Sequence, residues 1–97
     1  MGTSRRPRPA RLAEKLLQIR TSLGVTQAEL FDRLGDTGTR LYVGHIDDYE
    51  KDRRVPPLQV VLAYARVARV LMEMIVDDKL DLPDNLPPRG NRRKKDE

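Results

Sequence analysis

Gly24-Val25-Thr26-Gln27-Ala28-Glu29-Leu30 is the stretch that decides how this 97-residue chain folds. Thr26 and Glu29 have the spacing of a capping box: a threonine hydroxyl accepts from the backbone N–H three positions on, while the glutamate reaches back to the threonine N–H. A helix therefore starts sharply at Gln27. Gly24, just upstream, suits the left-handed residue that closes a preceding helix. The stretch reads as helix, tight turn, helix.

Upstream, a first helix is predicted over residues 10–23, with Pro9 near its first position. Leu12, Leu16, Ile19 and Leu23 recur at intervals of 4, 3 and 4 and form a single apolar face. Downstream, the second helix runs over 27–34 with Leu30, Phe31 and Leu34 inward. Gly35-Asp36-Thr37-Gly38 carries turn chemistry. A third helix is predicted over 40–51, capped by Thr39 or Thr37, with Tyr42, Ile46 and Tyr49 as its inner face. Pro56-Pro57 starts a fourth helix over 58–68. Its two apolar stripes, Leu58, Val61, Leu62, Ala65, Ala68 and Val60, Tyr64, Val67, Leu71, leave little of its girth polar. Leu71, Met72, Met74 and Ile75 make a short fifth helix. Leu80, Leu82 and Leu86 then alternate with acids and prolines in an extended segment able to tuck against the body. The expected class is all-α, five short helices with flexible basic tails: a 1–9 arm, a 10–76 helical domain, a 77–88 extended acidic, Pro-rich segment and an 89–97 basic tail.

Charge is unevenly spread. Four arginines in the first eleven residues and a net +3 over 89–97 leave the stretch between them at −3, within a total of +4. Such ends serve as nucleic-acid arms or as solubilising, disordered extensions. The chain has no Cys and one His, His45, so neither a disulfide framework nor a metal cluster is expected, and no cofactor. No apolar run has the length of a membrane span, and the start lacks the apolar stretch of a secretory signal. The expectation is a soluble cytoplasmic protein.

The order Leu16, Ile19, Arg20, Gly24, Val25, Thr26, Gln27, Glu29, Leu30, then Ile46, Tyr49, Glu50, Arg53, Pro56, Leu58, Leu62, Ala65 resembles the helix-turn-helix family of phage repressors and Cro proteins, also called XRE-like regulators. The resemblance covers about Leu12 to Ile75. It implies a DNA-binding fold whose third helix reads the major groove, and a structural ion pair, Arg20–Glu50, tying the first helix to the third. An inward cation at Arg20 would otherwise be costly. Three departures stand out. The turn from Gly35 is longer than the usual 3–4 residues, so that Thr26 to Glu50 is about five residues wider than in the family. Phe31 stands where the family has a small residue, and Asp52 where it has Gly.

Carried onto this sequence, the resemblance places Thr26 and Gln27 at a phosphate, where the positive start of the second helix can hold an anion. Gln27 is otherwise an ordinary exposed first-turn residue. Tyr42, Val43, Gly44, His45, Asp47 and Asp48 fall at or near the groove, Tyr42 and His45 within reach of base edges. Asp47 could accept from a cytosine amine. Paired with Asp48, it brings negative charge toward phosphates, or marks a surface that enters no groove. Arg40, Arg53 and Arg54 flank the helix as phosphate contacts, and Arg5, Arg6 and Arg8 form an arm for the minor groove or backbone.

The expected function is a sequence-specific DNA-binding transcriptional regulator, a repressor of bacterial or phage type, bound as a homodimer to double-stranded DNA. The second stripe of the fourth helix, with Met72, Met74 and Ile75, is either the dimer face or packing against Leu80–Leu86. The alternative function is a protein-interaction module or antitoxin on the same fold. No nucleophile–base constellation or phosphate-cradling glycine loop points to an enzyme.

Overall fold

A computed structural model describes residues 9–86 of the chain. Those residues form five helices: α1 (Leu12–Leu23), α2 (Gln27–Leu34), α3 (Val43–Glu50), α4 (Leu58–Ala68) and α5 (Met72–Val76). α1 lies against α3, α4 and α5, and α2 against α3 and α4, so that α1 and α4 form the middle of the bundle. Among the described residues there is no strand, and no helix is long and apolar enough to cross a membrane.

The core follows the sequence periodicity closely. Leu12, Leu16 and Ile19 of α1, Leu30 and Leu34 of α2, and Ile46 and Tyr49 of α3 are buried against Val60, Val61, Tyr64, Ala65 and Ala68 of α4. Ile75 of α5, with Leu82 and Leu86 beyond it, closes the same cluster. Val60, Tyr64 and Ile75 are thus interior within one chain. Val67, Met72 and Met74 are only partly buried and Leu71 is 61% exposed, so the second stripe packs inward through Val60 and Tyr64 and reaches the surface at Leu71. Leu58 is 70% exposed, although Val60 and Val61 in the same turn are buried.

Two helix starts differ from expectation. α1 begins at Leu12 rather than residue 10, and its N-terminus is completed from a distance. The Asp78 carboxylate accepts from the backbone N–H of Ala10 and of Arg11, each at 2.9 Å. These amides hold the Asp78 carboxyl below the usual carboxylate range. The Arg11 guanidinium returns the contact, donating to the carbonyl of Asp78 at 2.9 Å and to the Asp81 carboxylate at 2.8 Å. Lys15, one turn on, is fully buried. Its ammonium donates to the carbonyls of Met74, Asp77 and Leu80 at 2.8, 2.8 and 2.7 Å. An ammonium has three donors and here three acceptors, so the buried cation is fully satisfied. Lys15 sits on the Leu12–Ile19 face at helical spacing, which is the signal for its burial; its pairing with carbonyls had none.

The second difference lies before α3. Neither Thr37 nor Thr39 caps it; the helix starts at Val43, after an eight-residue connection from Gly35 to Tyr42. Thr37 instead donates to the Thr39 carbonyl at 3.3 Å, and Asp36 accepts from the Gly38 N–H at 2.9 Å, so the polar side chains of the connection fold back on it. His45 takes over the capping: its Nδ1 accepts from the Tyr42 N–H at 3.2 Å. Tyr42 is 56% exposed and belongs to the outer surface, not the inner face assigned from its spacing.

Candidate nucleic-acid interface

The capping box at Thr26 forms in full. Thr26 Oγ1 accepts from the Glu29 N–H at 3.1 Å, and Glu29 Oε1 accepts from the Thr26 N–H at 2.8 Å. Gly24 closes α1 at φ 72°. These local choices bring the start of α2 onto the side of α3, where Arg20 joins the two. Arg20 Nε and Nη2 donate to the two Glu50 carboxylate oxygens at 2.6 and 3.1 Å, a bidentate pair. Arg20 Nη1 also donates to the Val25 carbonyl at 3.1 Å. The Glu50 side chain is 4% exposed, so this guanidinium is its main compensation for leaving water. Bonding to Glu50 pushes the Arg20 pKa upward.

Gln27 is not a free first-turn residue. Its amide donates to Asp47 Oδ1 at 3.1 Å and to Glu50 Oε1 at 3.0 Å, bridging α2 to α3. Asp47 gathers further partners: Lys51 at 3.0 Å and Arg53 at 2.7 Å. The Gln27 amide and the Lys51 ammonium hold the Asp47 carboxyl below its ordinary range. Asp48 pairs with Arg53 at 3.2 Å and Arg54 at 3.5 Å. Sequence alone separated these residues into acids at the groove and arginines at phosphates. In the fold they are one lattice on the last turns of α3 and the loop beyond it, and each acid is matched by a cation. Pairs this exposed are individually weak and yield to a competing phosphate.

At the other end of α3 the surface is open. Tyr42 and Val43 are exposed, and a Cβ added at Gly44 would meet no atom within 4 Å. The Tyr42 ring meets the His45 imidazole edge-on at a centroid distance of 5.3 Å, and Tyr49 lies on from His45 at 6.2 Å. With Nδ1 taken up by the Tyr42 N–H, Nε2 is the ring nitrogen left for an outside partner. Arg40 is exposed and makes no ion pair among the described residues. Arg5, Arg6 and Arg8 lie outside the described residues, as does the 89–97 tail.

Asp52, where the resemblance leads one to expect glycine, adopts φ 59°. The left-handed turn is kept, and aspartate is among the few non-glycine residues that tolerate it. Among the described residues, no group of three His, Cys, Asp or Glu could hold a metal ion. The chain matches no protein-family model, no curated protein and no solved structure.

Proposed function

We propose that this chain is a cytoplasmic, non-enzymatic DNA-binding transcriptional regulator with a phage-repressor-like helix-turn-helix, acting as a repressor. The observation that carries this reading is the pairing of a rigidly capped α2 with an α3 whose first turn is open. Tyr42, Gly44 and His45 there offer a hydroxyl, an unobstructed backbone and an imidazole nitrogen to base edges. Arg40 precedes that turn in the chain, Gln27 ties the start of α2 to the later turns of α3 at Asp47 and Glu50, and the Arg20–Glu50 pair fixes α3 against α1. Basic ends on a chain whose middle is acidic supply the sequence-independent attraction to phosphates.

The second reading, a protein-interaction module or antitoxin, draws on the ion-pair lattice. Asp47 and Asp48 occupy Arg53 and Arg54, so that end of α3 presents a neutral, hydrogen-bonding surface suited to a protein partner. Gel retardation on random duplex at about 50 mM salt separates the two. Retardation at ~1 µM protein supports the regulator; none at that concentration refutes it and leaves the interaction module. Selection of bound sequences from a random pool then gives the operator. A two-fold site with half-sites one helical turn apart, about 34 Å, identifies a dimer.

A further inference from the structure

The eight-residue connection between α2 and α3 has a second effect: it walls off a cleft against α4. Arg33 and Leu34 at the end of α2, Asp36 and Thr37 of the connection, and Gln59, Leu62, Ala63 and Arg66 of α4 line a cavity of about 270 Å³, open on one side. Its floor is apolar, with Leu34 buried and Leu62 and Ala63 partly so. Its rim is cationic. Arg33 and Arg66 make no ion pair among the described residues, in contrast to Arg11, Arg20, Arg53 and Arg54, which all do. Asp36, the acid on the rim, is turned to the Gly38 N–H at 2.9 Å. The Gln59 amide adds a neutral donor and acceptor.

We propose that this cleft is a binding site for a small organic anion, a carboxylate or phosphate monoester carried on an apolar group. The anion sits between the Arg33 and Arg66 guanidiniums, whose planar forks match either oxyanion. The apolar group lies on Leu34, Leu62 and Ala63. The site stands on these residues alone and does not depend on DNA binding. An anion lacking the apolar part gains only exposed, screened charge contacts. A neutral ligand loses the guanidiniums. Both parts are therefore needed for affinity, which for a ligand of this size falls in the roughly millimolar range.

The test is a titration of the full-length ¹⁵N-labelled protein followed by backbone amide shifts. The probes are benzoate and phenyl phosphate, with benzamide and inorganic phosphate as controls. Saturable shifts of the Arg33, Thr37, Gln59, Leu62 and Arg66 amides with either aromatic anion, at least tenfold weaker with both controls, are expected. Benzoate alone would define a carboxylate site, phenyl phosphate alone a phosphate monoester site. Arg66→Ala and Arg33→Ala, both at exposed positions, should each lower the affinity about tenfold while leaving the remaining amide spectrum in place. No saturable shift up to ~20 mM of either aromatic anion overturns the proposal. So does binding that is as strong for benzamide, or unchanged in both arginine variants.

Discussion

Replacing Lys15 by methionine isolates the buried ammonium from the volume it fills. Methionine matches the unbranched stem of lysine and offers no donor. Three carbonyls, of Met74, Asp77 and Leu80, lose this partner at once. The Asp77 carbonyl keeps the Leu80 N–H at 3.0 Å and the Leu80 carbonyl keeps Arg11 Nη1 at 3.4 Å, so the Met74 carbonyl bears most of the loss; an orphaned buried acceptor costs about 1–3 kcal/mol, giving about 2 kcal/mol here. The opposing effect is relief from holding a cation out of water, which makes some buried charges neutral or unfavourable overall. Here that relief is small, because all three ammonium protons are already bonded. A domain this small has about 5–10 kcal/mol in total, so roughly a fifth to two-fifths of its stability is at stake. The assay is urea unfolding followed by far-ultraviolet circular dichroism. With a slope near 1 kcal/mol per molar, the midpoint should fall by about 2 M. A loss under about 1 kcal/mol, with the slope unchanged, would refute the reasoning and show that the ammonium's desolvation cancels its bonds.

Asp47→Asn with Asp48→Asn should free Arg53 and Arg54 for phosphates, strengthening binding to random duplex and steepening its dependence on log salt by up to about 2; an unchanged slope in fluorescence anisotropy would show that these arginines never face the backbone. Arg69 ends α4 at φ 59°, so Arg69→Gly should raise stability by about 1 kcal/mol and the melting temperature by several degrees. A melting temperature that stays put or falls would count against strain at that cap. The Asp78 carboxyl is depressed by the amides it caps, so its contribution is full above the ordinary carboxylate range and is lost as pH falls through it. Asp78→Asn should flatten the fall in urea midpoint between about pH 5 and pH 2, and parallel curves for variant and parent would refute the capping role.

The helices that the sequence announces most clearly are those with both a periodic apolar face and a chemical stop. α2 has its capping box, and α1 has Gly24. α3 lacks the second signal: its start is set by a histidine nitrogen, and His45 three residues after Tyr42 resembles no common cap. The apolar period carried the expected helix back to Arg40, into a connection whose Asp36 and Thr37 instead satisfy their own backbone. At the candidate interface, residue types were legible and partnerships were not. Asp47, Asp48, Arg53 and Arg54 were each assigned a separate task. Side chains five and six residues apart, Asp48–Arg53 and Asp47–Arg53, meet only because the chain turns back at Asp52. The Lys15 carbonyl cage and the Asp78 cap had no local sequence signal, since their partners lie 59 to 68 residues away.

That separation has a consequence for how the chain is made. At about 5–20 residues per second, the ribosome adds Asp78 roughly 3–13 s after Arg11. Until then the 12 residues of α1 have neither their capping carboxylate nor the acceptors for Lys15. A helix of that length is marginal alone. The nascent chain therefore leaves its first helix without these contacts while the other four are made, and the α1 end of the bundle closes last.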